Sequence, residues 1–450
     1  MDKRTFLKTS AALATGTVFS KLIACTPTMK NEPLKNWSGN LEYSTSNVHY
    51  PKTTEEVQEI VMSGSKLRGL GSRHSFNKIA DSTENQVSLK EFNKVISLDK
   101  ATNTVTVGAG MKYGELCQYL HENGYALHNL ASLPHISIAG SIATATHGSG
   151  VKNGNLSTGV SAIEFVNGSG ELITLSRKDG EQFNGAVVAL GAIGIVTKVT
   201  LDLQPAFNMQ QVVYLNMQMA ELEKNFLEIM SAGYSVSLFT DWKNKTINEV
   251  WIKNRIEKDN ATVAMPSEFY GAKMATKNMH PVENLGAENC TEQLGIPGPW
   301  HERMPHFKMG FMPSAGEELQ AEYFIPIEHG FAAIMAMEAL SEKISPHLFI
   351  SEIRAVAADD LWTSPCYKQP CAVLHTTWKQ EDIVMDLLPL VEKQLAPFNP
   401  RPHWAKLFTI APSVLQSRIE KLDDFKQLLQ QYDPTGKFRN EFIDANIFGS

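Results

Sequence analysis

The chain has 450 residues and a formal net charge of −7, with 43% hydrophobic and 20% charged residues. A chain of this length exceeds what one hydrophobic core supports and predicts two or three domains. The acidic balance, without a run of basic residues, argues against a nucleic-acid-binding protein, because binding phosphates requires a basic face. After the N-terminus, no apolar stretch reaches the roughly 18 residues that a membrane-spanning helix needs.

The N-terminal segment MDKRTFLKTSAALATGTVFSKLIAC begins with basic residues, continues with an apolar stretch and ends at Cys25. This order is typical of an export signal. Its start resembles a twin-arginine signal with Lys3 in place of the first arginine, and LIAC resembles a bacterial lipobox, whose cysteine carries a lipid. We therefore predict an export signal at residues 1–25, a tether at 26–35, and an exported periplasmic or cell-envelope lipoprotein that meets the membrane only through Cys25. The alternative interpretation is a disordered tail or an amphipathic helix.

From residue 48 onward, helical and strand-like patterns alternate. TTEEVQEIVMSGSK offers a threonine that can cap a helix, followed by apolar residues at helical spacing. KVISLD and NTVTVGAG alternate β-branched residues as strands do. GVSAIEFVNGSGELITLS predicts a hairpin around Asn167-Gly168, a strong turn signal. These patterns predict an α+β domain that ends near residue 207.

The next 200 residues or so form a second region. Its patterns predict helices at 220–230 and 327–342 and a strand in EVWIKNR. The last 45 residues are mainly helical in pattern. A small disulfide between Cys366 and Cys371 in CYKQPC is an open alternative to two free thiols, whereas Cys117 and Cys290 are predicted to be buried thiols.

Two segments are rich in glycine and hydroxyl side chains. The first, GLGSRHSFN at residues 69–77, combines glycines that permit a close backbone approach with consecutive N–H groups that can bind an anion. The second, ASLPHISIAGSIATATHGSG at residues 131–150, has no Asp, Glu, Lys or Arg. Its composition suits a loop and helix start that wrap a large polar anion. It lacks the endings of a P-loop or a Rossmann fingerprint.

No metal site is predicted, because His135 and His147 have no acidic or thiol partner at a metal-binding spacing. A surface turn with an incidental histidine is the alternative interpretation of residues 69–77 when that segment is taken alone.

The two segments, together with ALGAIGIVTK and the C-terminal DPTGKFRNEF, resemble the vanillyl-alcohol-oxidase class of flavoproteins. Within that class, the sequence is most similar to the alditol (xylitol) oxidases. The resemblance covers the chain from Lys35 to the C-terminus through the strings KNWSGN, YSVSLFTDW, NCTEQLGIPGPWHERMPHF, AEYFIP, SEIRAVAADD and RPHWAKLFT.

This resemblance implies a two-domain α+β flavoprotein. Its α+β FAD-binding domain would comprise residues 36–207 and the C-terminal segment 406–450. A substrate, or cap, domain with an antiparallel sheet flanked by helices would comprise residues 208–405.

The resemblance also implies the cofactor site. In this family the histidine of the GSxHSF loop is bound covalently to the 8α-methyl group of FAD, and His74 occupies that position. The remaining residues implied to contact FAD are Gly69, Leu70, Gly71, Ser72, Arg73, Ser75, Ser132, Ser137, Gly140, Thr144, Ala145, Thr146, His147 and Ile195.

The substrate-contacting residues are expected in the second region. Glu352 and Arg354 stand two positions apart, as do His375 and Thr377, so on strands each pair projects from one face. Lys406 lies in RPHWAKLF, where an ammonium can be partly desolvated. From the residues alone these five would be exposed ion-pair residues. The resemblance implies instead that all five, together with Ser132, contact the substrate.

The resemblance implies hydride transfer from the primary C1 hydroxyl carbon of an alditol to flavin N5, with reoxidation by O2 to give H2O2. Arg354 and Lys406 are expected to stabilise alkoxide charge. His375 is the expected general base, held by Glu352, although Glu352 would alternatively bind the inner hydroxyls of the polyol. The alternative functions are an aldonolactone oxidase or dehydrogenase and a flavin-free periplasmic sugar-binding lipoprotein.

Overall fold

The computed structural model describes residues 33–256, 262–310 and 317–449. The predicted export signal with Cys25, and all of the predicted tether before residue 33, lie outside the described residues. Among the helices that the structure does describe, none combines the length and the apolarity needed to cross a membrane.

Residues 48–205 alternate short strands and helices. The strands are β1 (Val48–His49), β2 (Leu67–Leu70), β3 (Asn85–Ser88), β4 (Val95–Asp99), β5 (Thr104–Gly108), β6 (Tyr125–Ala126), β7 (Val160–Val166), β8 (Leu172–Ser176), β9 (Ile195–Asp202) and β10 (Gln204–Pro205). The helices are α1 (Thr54–Ser63), α2 (Tyr113–Glu122), α3 (Ile138–Ala143) and α4 (Glu181–Val187). A parallel sheet has the order β1-β3-β2, an antiparallel sheet has the order β4-β5-β9-β7-β8, and β10 pairs with β6.

Local sequence signals account for these elements. The Thr53 hydroxyl accepts a hydrogen bond from the Glu56 N–H at 3.2 Å and so caps α1. The hairpin predicted around Asn167 is formed by β7 and β8, with Val166 opposite Leu172. Both predictions are confirmed.

Residues 208–402 build one ten-stranded, mainly antiparallel sheet. Its strands are β11 (Asn208–Gln218), β12 (Ser235–Thr240), β13 (Thr246–Ile256), β14 (Glu268–Phe269), β15 (Ala272–Met274), β16 (Gly298–Pro299), β17 (Glu318–Pro326), β18 (Leu348–Val356), β19 (Cys371–Lys379) and β20 (Arg401–Pro402). They lie in the order β14-β15-β11-β13-β12-β18-β19-β17-β20, and β16 pairs with β11. The helices of this half are α5 (Leu222–Met230), α6 (Gly330–Glu338), α7 (Ser341–Ile344) and α8 (Val384–Leu395).

The helix predicted at 327–342 is divided in the structure. A 3-10 turn precedes α6, and α7 begins only at Ser341. The Leu340 N–H bonds to the Met337 carbonyl at 2.9 Å, a tightened last turn that interrupts the α-helical pattern.

The two faces of the ten-stranded sheet differ sharply. On β17, Ala321 and Tyr323 join a hydrophobic cluster that includes residues of α5, α6 and α8. Because strand side chains alternate between faces, Glu322 projects to the opposite side. The same alternation on β18 and β19 gives a face, here called the polar face, that carries Glu322, Glu352, Arg354, His375 and Thr377.

After the sheet, the chain returns to the core of the first half. The helices there are α9 (Pro412–Gln416), α10 (Leu422–Tyr432) and α11 (Glu441–Ile443). Leu415 and Phe425 belong to the same hydrophobic cluster as Val105 and Phe165, and the Leu67 N–H of β2 bonds to the carbonyl of residue 437 at 2.9 Å. The α+β architecture is therefore as predicted, and the proposed domain boundaries stay predictions.

The four cysteines that the structure describes are buried free thiols: Cys117, Cys290, Cys366 and Cys371. Of the two alternatives for Cys366 and Cys371, the structure has the free thiols. The prediction for Cys117 and Cys290 is confirmed.

Candidate active site

The two glycine-rich segments face each other. A Cβ added at Gly71 would lie 2.6 Å from the Ser137 Oγ, and one added at Gly140 would lie 2.9 Å from it. Both distances are shorter than real Cβ contacts, so a side chain at either position would displace the Ser137 hydroxyl. The buried Ser137 Oγ has no hydrogen-bond partner among the described residues. The segments therefore form a narrow cradle with an unpaired hydroxyl.

This cradle opens into a cavity of about 530 Å³ whose other wall is the polar face, a volume within the usual range of ligand sites. The predicted residues that line the cavity are Gly69, Gly71, Ser72, Arg73, His74, Ser75, Ser132, Gly140, Thr144, Thr146, His147, Glu352, Arg354, His375, Thr377 and Lys406. Leu70, Ser137, Ala145 and Ile195 are not among the lining residues. The side chains of Ala145 and Ile195 pack in hydrophobic clusters, so a cofactor contact there would use the backbone.

His74 is held between aromatic rings at one end of the cavity. Its imidazole packs on Trp37 with ring centroids 4.3 Å apart and planes tilted by 34°, and it meets Phe76 edge-on at 6.2 Å. Burial and, next, the charge of Lys406 lower the pKa of His74 to about 4. The imidazole is therefore neutral, with a free lone pair, near pH 7.

Arg73 points away from the cavity centre. Its backbone is left-handed, with φ 61°, and its Nη1 donates to the Lys35 carbonyl at 3.0 Å near the surface. Arg73 was implied to contact FAD, and this contact turns the end of its side chain toward residue 35 instead.

The register of three neighbouring strands lines up three ionisable residues on the polar face. Glu322 of β17 is directly opposite His375 of β19, and His375 is directly opposite Glu352 of β18. Directly opposed residues place their Cβ atoms about 5 Å apart. The row Glu322–His375–Glu352 is therefore a consequence of sheet register.

Glu322 is the centre of a buried charge cluster. Its Oε2 lies 2.9 Å from the Lys406 Nζ and 3.4 Å from the His147 Nε2. Its Oε1 accepts a hydrogen bond from the Arg354 Nη2. The Glu322 side chain is 0% exposed, so these partners replace the water that a carboxylate would otherwise need.

The charges of the cluster set the protonation of its members. Burial alone would raise the pKa of Glu322, but Lys406, His147 and Arg354 hold it well below its ordinary value. Burial lowers the pKa of Lys406, and Glu322 opposes that effect. Burial would lower the pKa of Arg354, but Glu352 and Glu322 raise it above its ordinary value. The cluster is therefore an ionised carboxylate with its cations.

His375 contacts Lys406 and Thr377. The Lys406 Nζ lies 2.9 Å from the His375 Nδ1, and the His375 Nε2 lies 3.0 Å from the Thr377 Oγ1. Because an ammonium can only donate, Nδ1 is the acceptor and Nε2 carries the proton. Burial and the charge of Lys406 lower the pKa of His375 to about 4, so the ring is neutral.

The prediction that Glu352 holds His375 is wrong. The Glu352 Oε1 instead accepts a hydrogen bond from the His306 Nε2 at 2.8 Å and lies 3.6 Å from the Arg354 Nε. Cross-strand register makes Glu352 and His375 neighbours, but their hydrogen bonds go to different residues. Glu352 bonds to His306, and His375 bonds to Lys406 and Thr377. Burial would raise the pKa of Glu352, whereas Arg354 and His306 lower it strongly.

Among the cavity residues that were not predicted from the sequence are three ionisable ones that contact the predicted site residues: Glu322, His306 and His403. The strand ELQAEYFIP contains a usable signal for Glu322, because Glu318, Gln320 and Glu322 recur at the period of two expected for one face of a strand. His306 and His403 lie outside any periodic segment, so nothing in their local sequence distinguishes them.

Comparisons with known proteins agree with this geometry. A family model described as an FAD binding domain matches residues 45–176, and one described as D-arabinono-1,4-lactone oxidase matches residues 311–446. An alditol oxidase of Streptomyces sp. is 42% identical over 412 residues, which is 91% of this chain and 97% of that protein. An L-gulono-1,4-lactone dehydrogenase of Mycobacterium tuberculosis is 24% identical over 90% of this chain and 97% of that protein.

Solved structures show the same fold at low identity. The cholesterol oxidase of B. sterolicum superposes with a TM-score of 0.73 and 16% identity, over 97% of this chain and 100% of that chain. That likeness bears on the fold alone. The family follows from the sequence relative and the family model: the chain belongs to the alditol oxidase family, within the vanillyl-alcohol-oxidase class of FAD-binding flavoproteins.

Proposed function

We propose that this protein oxidises the primary C1 hydroxyl of alditols such as xylitol and sorbitol to the aldose, using FAD and O2 and releasing H2O2. The observation that carries the proposal is the single cavity whose walls are the glycine-rich cradle on one side and the polar face on the other. The 42% identity with an alditol oxidase supports the same assignment.

The residues present fit FAD. The cradle around Gly71 and Gly140 admits a close backbone approach, and the buried Ser137 hydroxyl lacks a partner among the described residues. Neither glycine-rich segment contains a carboxylate that would repel a pyrophosphate. When bound, FAD supplies the acceptor for the hydride of the alcohol carbon and passes the electrons to O2.

The polar face supplies the groups that a polyol needs. The Glu352 carboxylate accepts hydrogen bonds from substrate hydroxyls, and Thr377 adds a hydroxyl contact on the neighbouring strand. Arg354 and Lys406 stabilise negative charge that develops on the reacting oxygen, a role worth a few kcal/mol per donor. His375 is the proposed general base at Nδ1, because its Nε2 already carries a proton and donates to Thr377. Nδ1 accepts from Lys406 in this structure, so the substrate hydroxyl would have to replace Lys406 at that nitrogen.

The proposal includes a covalent bond between His74 and FAD. The neutral imidazole packs against Trp37 at 4.3 Å, lines the cavity and has a lone pair available for that bond. The position of His74 in the GLGSRHSFN loop supports the same role by family resemblance.

Oxidation or dehydrogenation of an aldonolactone is the second candidate function. The D-arabinono-1,4-lactone oxidase model over residues 311–446 favours it. The lactone-acting relative is only 24% identical, against 42% for the alditol oxidase, so we rank it lower. A flavin-free sugar-binding protein is disfavoured by the presence of the glycine-rich cradle and His74 in one cavity.

Production of H2O2 across a panel of alditols, aldoses and aldonolactones tests the proposed function. The expected result is turnover of xylitol or sorbitol that is lost in Glu352→Gln. Turnover confined to lactones would favour the second candidate.

We also propose that the chain is exported and carries a lipid on Cys25. The basic start, apolar stretch and LIAC string support this proposal. Labelled palmitate should enter the wild-type protein but not Cys25→Ser, and a wild-type protein without label would contradict it.

A further inference from the structure

Lys253 is a buried cation that the proposed chemistry does not use. It lies on β13 beneath the cavity and is 1% exposed. Its Nζ donates to the Met304 carbonyl at 2.7 Å, the Pro305 carbonyl at 2.8 Å and the His306 Nδ1 at 3.2 Å. An ammonium has three N–H donors, and here each has one acceptor. These three acceptors favour the charged form of Lys253, against the effect of burial, which lowers its pKa to about 7.

The contact with Lys253 determines which nitrogen of His306 accepts a hydrogen bond and which one donates. Because Lys253 donates to Nδ1, that nitrogen must accept, and the proton of the neutral ring must lie on Nε2. This Nε2 points to the Glu352 Oε1 at 2.8 Å. The ring is packed edge-on against Phe239 and Trp251, with centroids 5.6 and 5.2 Å away. His306 therefore has no alternative orientation that keeps both hydrogen bonds.

The same arrangement leaves one oxygen of Glu352 for a ligand. Its Oε1 is used by His306 and lies near Arg354. Its Oε2 has no hydrogen-bond partner within the part of the chain that the structure describes, and Glu352 lines the cavity. A carboxylate whose rotation is blocked on one oxygen presents the other at a defined position.

We propose that Lys253 and His306 are positioning residues that fix the Glu352 carboxylate, ionised and in one orientation, to receive the hydroxyl groups of the substrate. The inference deepens the proposed function and rests on it. Lys253 does not line the cavity; His306 lines it, but the role inferred here is exerted through Glu352. Lys253 orients His306, and His306 orients Glu352. Residues behind an active site commonly fix its substrate-contacting side chains in this way.

Several charged or titratable groups face Glu352 from its own strand and from other elements, and they enter any pH dependence. Arg354 lies on the same strand, His375 on β19, His306 in the loop before β17, and Lys253 on β13. Lys406 also interacts with Glu352 through its charge. Of these, the hydrogen bond to Oε1 comes from His306.

The test compares three variants with a matched control. His306→Gln keeps both hydrogen bonds in the same direction, because a glutamine oxygen can accept from Lys253 while its nitrogen donates to Glu352. His306→Phe keeps the ring but removes both hydrogen bonds. Lys253→Met keeps the aliphatic stem but removes the donor to Nδ1. Glu249→Gln is the control, since this buried carboxylate lies on the same strand and bonds to Trp251 rather than His306.

Steady-state kinetics with xylitol should separate the variants. His306→Phe should raise KM about tenfold and add a loss of activity as pH falls, because Glu352 without its donor takes up a proton at a higher pH. His306→Gln should stay within about threefold of wild type, and Glu249→Gln should not differ from it. Lys253→Met should introduce a pH-dependent loss of activity, because the proton of His306 is then no longer confined to Nε2. Wild-type KM and pH profile in His306→Phe would overturn the proposal, as would equal damage in the folded glutamine and phenylalanine variants.

A measurement without turnover keeps the inference separate from the proposed function. The infrared spectrum of His306→Phe should show a protonated carboxyl band at mildly acidic pH that disappears in the double variant with Glu352→Gln. If a folded His306→Phe protein shows no such band, the positioning role of Lys253 and His306 is overturned, even if xylitol is a substrate. If that variant does not fold, the same band in Lys253→Met decides in the same way. A wild-type protein that oxidises no alditol would instead refute the proposed function. The infrared spectrum would then remain the test of the positioning role of Lys253 and His306.

Discussion

The Lys406 Nζ lies 2.9 Å from the Glu322 Oε2 at the polar face of the cavity. Lys406 comes from the loop after β20, whereas Glu322 lies on β17 with no exposed surface. The carboxylate therefore keeps a partly desolvated ammonium charged at the place where alkoxide charge would develop. Glu322 therefore sets the charge of Lys406, although it was not among the predicted site residues.

Replacing the buried carboxylate by Glu322→Gln should destabilise the fold and lower kcat/KM. Lys406 and Arg354 would lose their common counter-charge, and breaking a buried pair costs about 3–5 kcal/mol. The pKa of Lys406, already lowered by burial, would fall further. We expect a loss of kcat/KM of at least about tenfold, by the electrostatic contribution of such donors.

The control for that variant is Glu392→Gln. Glu392 is also buried, but its carboxylate accepts hydrogen bonds from Tyr323 and Thr409. It should retain kcat/KM and lose less stability in chemical denaturation. Equal effects of the two substitutions on both quantities would refute the special role of Glu322.

Lys406→Met should keep the bound flavin and lose turnover. The cation is needed mainly as charge develops in the transition state, so kcat should fall about 10²–10³-fold while flavin absorbance per protein stays the same. Lys90→Met, at an exposed lysine of the first half, serves as control. Normal turnover of sorbitol by Lys406→Met would assign the stabilising charge to Arg354 alone.

His74→Ala should bind FAD without a covalent bond. The cradle around Gly71 and Ser137 remains, so flavin should still copurify, but it should be released on denaturation. Wild-type protein should retain flavin fluorescence in a denaturing gel. A denatured wild-type chain that releases all its flavin would disprove the covalent bond.

The contribution of His306 and His375 to the free energy of unfolding should fall as pH drops from about 6.5 to 4. Burial, with the nearby cation Lys253 or Lys406, lowers the pKa of His306 and His375 to about 4. In this window the unfolded chain binds protons that the folded chain does not, so stability decreases by about 1.4 kcal/mol per pKa unit and residue. The depressed pKa values of Glu322 and Glu352 extend the loss to lower pH.

Urea denaturation at several pH values measures this slope. His375→Gln, which has no titrating group in either state, should show a shallower slope than wild type. An identical slope in the variant would mean that His375 is not buried in its neutral form.

Local patterns in the sequence predict much of this fold. Thr53 caps a helix by its own side chain, and the Asn167 turn needs only its immediate neighbours, so both are visible without tertiary structure. The i, i+2 spacing of Glu352 and Arg354 likewise places them on one strand face. These features depend on short-range geometry, which the order of residues determines directly.

The hydrogen bonds of the cavity depend on longer-range packing. His306 lies in an irregular loop, and its contacts with Lys253 and Glu352 join three segments that are far apart in sequence. The pairing of Glu352 with His306 rather than His375 follows from side-chain direction, which strand spacing alone does not give. Family resemblance identified four residues of the polar face, but neither Glu322 nor the partners that hold the four.

Anaerobic mixing of the purified flavoprotein with substrate tests the central claim most directly. Xylitol or sorbitol should bleach the oxidised flavin absorbance within the turnover time, while L-gulono-1,4-lactone at the same concentration should leave it largely oxidised. Bleaching by the lactone with none by any alditol would contradict the account and assign the cavity to lactone oxidation.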